Sequence, residues 1–314
     1  MEQPLISICI PVYKRVDYLK RLLDSIEMQT FRRFEVIITD DSPDQIISDF
    51  IGVQNYNYSC RYFKNQPAKG TPLNWMEGMK YAKGDWIKII HDDDWLTDQN
   101  SLQKYAEAIS ESVDCIFSGY IAHFEDSNAQ VDKTISKRTF NKILEHPYYL
   151  FASNKIGPPS VLLFRKNIQE IYDSNLKWLV DLEAYIRMMN KYHCIYINSP
   201  LITMSYNETQ VTNNCFRNPY VEIREALIYY RKHGSISHQR LLTYDAWWRL
   251  LRNLNIKEEK DLLQYSYGIE VPKILISILK FQREIPGVLL KTGLFSKIFM
   301  LLSYYTCKYF FQKN

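Results

Sequence analysis

Several features that define common protein classes are missing from this chain of 314 residues. The six cysteines form no CxxC pair, which excludes a zinc ribbon and a dithiol redox motif. No run of 18 or more uncharged apolar residues occurs, so no membrane-spanning helix is predicted. Only 10 glycines are present, and the GxGxxG, GxxxxGK[ST] and HExxH motifs are absent. Their absence argues against interpreting the chain as a dinucleotide oxidoreductase, a P-loop NTPase or a zinc protease.

The distribution of charge separates the body of the chain from its tail. From Val271 onward, seven cationic residues stand against Glu284 alone, which leaves +6 there. Because the whole chain carries +4, residues 1–270 carry −2, and no nucleic-acid partner is expected. The apolar run within the first fifteen residues is too short and wrongly flanked for a signal peptide. Together with scattered cysteines, this predicts a reducing, cytoplasmic location.

The first half of the chain alternates strand-like and helix-like segments. Apolar runs predict strands at 5–10, 34–39, 60–63, 86–90, 114–118, 161–164, 195–197 and 201–204. Helical spacing predicts helices at 19–26, 71–82, 102–109 and 182–189, with a less regular stretch at 119–160. This order predicts an α/β fold with a mostly parallel sheet covered on both faces. Ligands then bind at the carboxyl ends of the strands.

The strongest chemical signal is the run Asp92, Asp93 and Asp94, directly after the strand at 86–90. Three adjacent carboxylates repel one another unless a cation or hydrogen-bond donors gather there. A hard divalent ion such as Mg²⁺ takes carboxylate oxygens together with the phosphates of a substrate. The alternative is a solvated turn that caps the helix beginning near Asn100.

Two further acidic positions can each be interpreted as either functional or structural. Asp40 and Asp41 end the strand at 34–39, where a carboxylate can accept hydrogen bonds from a base N–H or a ribose hydroxyl, or can form an Asx turn. Asp181, with Glu183 nearby, begins a predicted helix. It is either an N-cap or a general base that removes the proton from an attacking hydroxyl.

Six segments, taken in order, resemble the inverting family 2 glycosyltransferases with the GT-A fold. The segments are IPVYKR (10–15), LLDSIEMQT (22–30), EVIITDDSPD (35–44), AKGDWIKIIHDDD (82–94), LLFRK (162–166) and VDLEAYIRM (180–188). The resemblance covers roughly residues 4–212. It implies a GT-A fold with a mostly parallel sheet between helices. It also implies a nucleotide-sugar donor, with a UDP-sugar favoured, and a divalent metal ion, Mn²⁺ or Mg²⁺. The implied reaction is a single displacement with inversion.

The resemblance also implies roles for residues at matching positions. Those implied to bind the donor are Pro11, Tyr13, Asp40, Asp41, Lys69, Asn74 and Asp92. Those implied to hold the metal are His91, Asp93 and Asp94, and the implied catalytic base is Asp181. Two positions depart from the family pattern. His91 stands where relatives often have an aspartate, and Asn207 stands where many have a metal-binding histidine.

The chain is predicted to consist of three parts: a GT-A domain at 1–215, a helical extension at 216–270 and a basic amphipathic helical tail at 271–314. Apolar and aromatic residues interspersed with lysine, as in the tail, are typical of a helix lying in a membrane interface with anionic lipids. The alternative is a helical pair packed on the catalytic domain, or a dimer interface.

These expectations combine into one predicted function. The protein moves a sugar from a nucleotide-diphosphate sugar to a hydroxyl of a glycan, favouring a lipid-linked one, in bacterial surface-polysaccharide biosynthesis. It works in the cytoplasm, peripherally at the inner face of the cell membrane. Enzymatic alternatives are a sugar transferase that acts on polyprenyl phosphate and one that acts on a soluble acceptor. A catalytically degenerate nucleotide-sugar-binding protein is the alternative from another class, kept open by His91 and Asn207.

Overall fold

A computed structural model describes residues 3–168, 171–207 and 215–311 and divides the chain into two compact units. Unit 1 comprises Met1–Pro147, Lys155–Leu176 and Val180–Thr209. Unit 2 comprises Tyr148–Asn154, Lys177–Leu179 and Gln210–Asn314. Two internal segments of the range 1–215 expected for the first domain therefore belong to unit 2, and so do its last residues, from Gln210 onward. Both the extension at 216–270 and the tail at 271–314 lie in that unit as well.

The strands of unit 1 form one mixed sheet. They are β1 (Ile6–Val12), β2 (Phe34–Asp40), β3 (Ser59–Lys64), β4 (Trp86–Ile89), β5 (Trp95–Leu96), β6 (Cys115–Phe124), β7 (Ala129–Lys133), β8 (Leu162–Arg165) and β9 (Cys194–Tyr206). Their order in the sheet is β3-β2-β1-β4-β8-β6-β9-β5, and β7 pairs with β6. The part from β3 to β4 is parallel, as the sequence predicts, and β8 joins it antiparallel.

Helices cover this sheet and build unit 2. Those of unit 1 are α1 (Val16–Glu27), α2 (Ile46–Gly52), α3 (Leu73–Tyr81), α4 (Ser101–Glu107), α5 (Lys137–Glu145) and α7 (Val180–Lys191). Those of unit 2 are α6 (Tyr149–Ala152), α8 (Pro219–His233), α9 (Leu241–Asn253), α10 (Glu259–Ser266), α11 (Lys273–Arg283), α12 (Gly287–Lys291) and α13 (Gly293–Phe311). Among the described residues, none of these helices has the length and apolar character needed to cross a bilayer.

The parallel strands bring several loops to one edge of the sheet. Every residue of β1 and β2 is buried, because helices cover both faces. Val12 pairs with Asp40, and Asp40 pairs with Lys64, so β1, β2 and β3 end side by side. The loops after β1, β2, β3 and β4 therefore meet at this edge, where the sequence predicts ligand binding.

β1 continues through Pro11, although the sequence predicts a strand that stops there. The carbonyl of Cys9 accepts the N–H of Ile90 at 3.1 Å, so residues 9 and 11 both direct their backbone polar groups to the β4 side. β4 has already ended at Ile89, and proline therefore loses no ladder hydrogen bond at this position.

β6 and β9 are longer than predicted. β6 extends to Phe124 inside the stretch that was expected to be irregular, and the two short strands predicted at 195–197 and 201–204 are both parts of β9. The register between β6 and β9 shifts on both sides of Gly119, which pairs with Pro200. A Cβ on Gly119 would lie 2.6 Å from the Thr134 side chain. This irregularity interrupts the alternation of apolar residues from which strands are predicted.

The described residues of unit 2 form helices and no strand. α8 begins at Pro219, after the side chain of Asn218 caps the backbone N–H of Tyr220 at 3.1 Å. α9 supplies the buried indole rings of Trp247 and Trp248 to the interior of this unit. α11 buries the apolar residues Ile274, Leu275, Ile278 and Leu279, and Ile285 just after this helix is buried as well.

Candidate active site

The turn that follows β4, defined here as the acidic turn, contains His91, Asp92, Asp93 and Asp94. Its backbone closes tightly, with the N–H of Asp94 donating to the carbonyl of His91 at 3.0 Å. The three aspartates are only 2%, 6% and 2% exposed. A solvated capping turn would leave these carboxylates in water, so their burial argues for a role that needs concentrated negative charge.

Arg15 supplies a cation to the acidic turn from the loop after β1. Its guanidinium forms an ion pair with Asp92 through Nη2 and Nε, the latter at 3.2 Å, and with Asp93 through Nη1 at 3.0 Å. Burial raises the pKa of Asp92 to about 7, and the positive charge of Arg15 opposes that rise. Arg15 is not among the site residues that the sequence predicts, although it lies in the IPVYKR segment. The sequence signal for Arg15 is that a cation follows β1, the strand that lies next to β4.

Ser160 fixes the acidic turn from the other side. Its hydroxyl donates to the carboxylate of Asp94 and accepts the backbone N–H of His91 at 3.1 Å. Its carbonyl accepts a hydrogen bond from the Lys88 ammonium at 2.6 Å. The Lys88 nitrogen also lies 4.0 Å from the ring centroid of Tyr105. Because Lys88 is fully buried, desolvation holds its pKa well below the usual value.

The sequence reasoning assigned no role to Ser160 or to Lys88. A lysine in the middle of the apolar strand WIKI was the visible signal for Lys88, since a buried ammonium needs acceptors close by. Ser160 carried no local signal beyond its place in a turn-rich segment.

Three residues of the acidic turn fit a divalent cation. One ligand atom from each of His91, Asp93 and Asp94 lies within 4.8 Å of the others. The Nε2 atom of His91 is buried and has no hydrogen-bond partner among the residues that the structure describes. Burial lowers the pKa of His91 to about 4, so the ring is neutral and keeps a free lone pair at neutral pH. Asn207 approaches the same place, with Nδ2 at 3.4 Å from Oδ2 of Asp93.

A cleft of about 320 Å³ lies at the ends of β2 and β3, and Tyr13, Asp41, Asn65 and Pro67 are among the residues that line it. Asp41 is a buried member of this lining. Oδ1 accepts the side-chain N–H of Asn65 at 2.8 Å and the backbone N–H of Lys69 at 3.0 Å, and Oδ2 accepts the backbone N–H of Gly70 at 2.7 Å. Tyr13 is half-exposed at the rim, and its ring can stack on a planar ligand.

Asp40, next to Asp41, directs its carboxylate into the protein. Oδ2 accepts hydrogen bonds from the Tyr62 hydroxyl at 2.7 Å and the Lys64 ammonium at 2.9 Å. Oδ1 accepts the backbone N–H of Ser42 at 2.7 Å, which forms the Asx turn that the sequence allows. Both oxygens are therefore engaged by the protein itself, and Asp40 shapes the loop that carries Asp41.

Two of the remaining expected donor residues, Asn74 and Lys69, contact residues that line the cleft. The side-chain carbonyl of Asn74, at the start of α3, accepts an N–H of Asn65 at 2.9 Å. The ammonium of Lys69 pairs with Glu77 at 3.4 Å. Pro11 is buried within β1 and offers no polar group of its side chain. Tyr13 and Asp41 thus line the cleft, and Lys69 and Asn74 contact its lining. Asp92 and Asp93 both pair with Arg15.

Asp181 lies in the first turn of α7, where its carboxylate accepts the backbone N–H of Leu182 at 2.7 Å. Aromatic contacts extend from the acidic turn to Tyr172: the ring of Trp75 lies 4.7 Å from that of His91 and 5.2 Å from that of Tyr172. Burial raises the pKa of Tyr172, and the negative charge of Asp181 adds to this rise.

The chain matches the model of glycosyl transferase family 2 over residues 7–170. It is also 27% identical over 147 residues to the GalNAc(5)-diNAcBac-PP-undecaprenol beta-1,3-glucosyltransferase of Campylobacter jejuni. That alignment covers 44% of this chain and 47% of the relative. Alignments with the first curated relatives cover between half and about two thirds of their length.

Solved structures share the fold at low sequence identity. One is TarS 1–349 of S. aureus in complex with UDP-GlcNAc, with a TM-score of 0.56, 15% identity, and coverage of 89% of this chain and 91% of TarS 1–349. Another is the mannosyltransferase PcManGT of Pyrobaculum calidifontis in complex with GDP-Man and Mn²⁺. Its TM-score is 0.57 at 12% identity, with coverage of 96% of this chain and 86% of PcManGT. These similarities confirm the GT-A fold that the sequence predicts.

Proposed function

The chain belongs to glycosyl transferase family 2, and from this premise we propose that it transfers a sugar from a nucleoside-diphosphate sugar to a hydroxyl group of a glycan. One observation carries the proposal. The Asp41 cleft and the buried group of His91, Asp93 and Asp94 occur together at the carboxyl edge of the parallel strands. Such a pair of sites suits a ligand with two parts, a nucleoside in the cleft and a charged diphosphate at the acidic turn.

The nucleoside part is assigned to the cleft. Three protein N–H groups already donate to the Asp41 carboxylate, so one acceptor position on Oδ2 is left for a base N–H. The half-exposed ring of Tyr13 offers a stacking face. UDP-GlcNAc in TarS and GDP-Man in PcManGT support a nucleotide-sugar donor, and the cleft volume of about 320 Å³ suits one nucleoside. A UDP-sugar remains the favoured donor.

The diphosphate is assigned to the acidic turn, with His91, Asp93 and Asp94 as holders of a divalent cation. Such an ion supplies stabilisation of the negative charge that develops on the leaving diphosphate. Arg15 holds Asp92 and one oxygen of Asp93 in place, and Ser160 orients Asp94. Mn²⁺ in PcManGT supports a metal, and the neutral imidazole of His91 favours Mn²⁺ over Mg²⁺.

Asp181 is assigned as the general base. Its carboxylate takes the proton of the acceptor hydroxyl while that oxygen forms a bond to the anomeric carbon. The bond from the anomeric carbon to the diphosphate oxygen breaks in the same displacement, and the diphosphate leaves with the electron pair. Because attack and departure occur on opposite faces of the sugar, the configuration inverts.

The acceptor is assigned as a lipid-linked glycan of a bacterial surface polysaccharide, reached from the cytoplasmic side by a protein bound peripherally to the membrane. The PP-undecaprenol in the name of the Campylobacter relative supports a lipid-linked acceptor. The positive charge concentrated in the tail supports contact with an anionic lipid surface.

The test is a turnover assay with Asp181→Asn, using nucleotide sugars, Mn²⁺ and glycan acceptors. For a hydroxyl acceptor we expect turnover to fall by about 10²- to 10⁴-fold, because that is the usual contribution of a positioned general base. Donor affinity, measured by calorimetry, is expected to stay unchanged. Asp132→Asn, on the exposed β7, is the matched control.

Two other results separate the alternatives. Near-normal turnover of Asp181→Asn indicates a phosphate acceptor, such as polyprenyl phosphate, which needs no strong base. Nucleotide binding without turnover for any donor and acceptor, with Mn²⁺ present, indicates a degenerate nucleotide-sugar-binding protein. Chelation of the metal is expected to abolish turnover of the active enzyme.

A further inference from the structure

Helix α13 exposes apolar side chains on one face and buries polar ones on the other. The exposed face, called here the outer stripe, consists of Leu294, Phe295, Ile298, Leu302 and Tyr305, which are between 45% and 69% exposed. At 100° per residue these five positions span about 100° of the helix surface. The opposite face is buried and includes Ser296, Met300, Ser303 and Cys307. An ordinary surface helix has the reverse polarity.

Hydrogen bonds hold α13 in this orientation. The hydroxyl of Ser296 accepts N–H groups from Trp248 at 3.0 Å and Arg252 at 2.9 Å. The hydroxyls of Ser303 and Tyr244 are 2.7 Å apart. Rotating the outer stripe inward would break these bonds and leave a buried indole N–H and a buried phenol without partners. These hydrogen bonds therefore keep the outer stripe on the exposed side of α13.

Two exposed lysines lie beside the outer stripe. Lys297 is exposed on α13, and Lys291 is exposed at the end of α12, immediately before α13 begins. Both belong to the segment from Val271 onward that carries +6. The outer stripe combines exposed apolar residues, flanking lysines and a tyrosine whose hydroxyl can remain in water. An anionic lipid interface complements this combination, since its interior is apolar and its headgroups are negatively charged.

We propose that the outer stripe of α13 is the surface by which this protein docks on an anionic membrane, lying in the interface without crossing the bilayer. Charge distinguishes this occupant from a second copy of the chain, since a symmetric contact would bring two segments of +6 together. The inference rests on the peripheral membrane location in the proposed function and adds the face and the side chains that make the contact.

The experiment compares the full-length protein with Ile298→Gln/Leu302→Gln in sedimentation with vesicles. The vesicles are pure phosphatidylcholine, or phosphatidylcholine with about 30% phosphatidylglycerol. We expect the unsubstituted protein to bind the anionic vesicles and to be released by salt. In the double variant, the partition coefficient is expected to fall by about tenfold or more, because two apolar side chains no longer enter the interface. Val53→Gln, which removes an apolar side chain that is 80% exposed in unit 1, is the matched control.

A second variant tests the charge. Lys297→Glu is expected to lower binding to anionic vesicles by about fivefold or more while leaving binding to neutral vesicles unchanged. Both variants change exposed residues, so their unfolding midpoints are expected to match that of the unsubstituted protein, which separates lost docking from lost folding.

Three results would overturn the proposal: no binding of the unsubstituted protein to anionic vesicles, equal binding of the double variant, or a dimer that disappears in the double variant. The last result would make the stripe a self-association face. None of these measurements uses sugar transfer, so the docking surface and the proposed enzyme activity can fail independently.

Discussion

Removal of one hydroxyl, in Ser160→Ala, tests the structure of the acidic turn directly. The hydroxyl of Ser160 makes two contacts there, as donor to the Asp94 carboxylate and as acceptor from the backbone N–H of His91. Ser160 and Asp94 are buried, so water cannot replace the lost partner without opening the turn. A hydrogen bond to a charged group is worth about 1.5–3 kcal/mol, and an orphaned buried N–H costs about 1–3 kcal/mol.

From these contacts we expect Ser160→Ala to lower the free energy of unfolding by about 2–4 kcal/mol. The measurement is urea unfolding followed by tryptophan fluorescence, with Ser112→Ala as the matched control. The Ser112 side chain makes only an exposed contact to Ser110, so its loss is expected to cost less than about 0.5 kcal/mol.

The same variant is expected to bind Mn²⁺ about tenfold more weakly, since a second group that orients a metal ligand commonly contributes that much. Titration calorimetry on the folded variant measures this affinity. An unfolding free energy and a Mn²⁺ affinity that both equal those of the unsubstituted protein would show that Ser160 does not position Asp94, and the account of the acidic turn would be wrong.

Two further predictions concern stability. Gly84→Ala would place a Cβ 2.8 Å from the backbone nitrogen of Ser7, so we expect the free energy of unfolding, measured with urea, to fall by about 1–3 kcal/mol. Gly52→Ala is the control, because a Cβ there meets open space and should be near neutral or stabilising. Equal effects of the two substitutions would contradict the packing argument. Burial lowers the pKa of His238 to about 4 from its usual 6.5, so the unfolded chain binds more protons between these values and stability falls as the pH falls through that window. After allowance for the partly buried ring we expect about 1–2 kcal/mol between pH 7 and pH 4. His238→Gln should remove that share, and an unchanged pH profile in the variant would refute it.

The parts of the fold that are predictable from sequence are those with uniform periodicity. α1 buries Leu19, Leu22, Leu23 and Ile26, the four residues whose spacing predicts a helix. β1, β2 and β4 are apolar runs buried on both faces, and periodicity with short connections predicts their parallel order. The register shift near Gly119 and the continuation of β1 through Pro11 escape prediction, because each depends on where a neighbouring strand ends or bulges.

The candidate site, too, has parts that the sequence predicts and parts that only the fold determines. Acidic residues after strands are visible in sequence, so the acidic turn and Asp41 could be proposed as parts of the site. The partners that determine what each carboxylate does come from distant positions: Arg15 from the loop after β1 and Ser160 from the segment before β8. Asp40 and Asp41 are adjacent in sequence, yet one faces Tyr62 and Lys64 and the other faces the cleft. Only the pairing of β2 with β3 separates their roles.

The charges around the acidic turn explain why a divalent ion, and not a second arginine, suits it. Three ionised aspartates carry −3, and the guanidinium of Arg15 offsets one charge at Asp92 and Asp93. The remaining −2 is concentrated in a buried space, where burial first and the like charge of Asp93 second raise the pKa of Asp94 well above its usual value. A bound ion of charge +2 would lower that pKa and balance the group. Binding should therefore release protons, and the neutral ring of His91 completes the ligand set without adding charge.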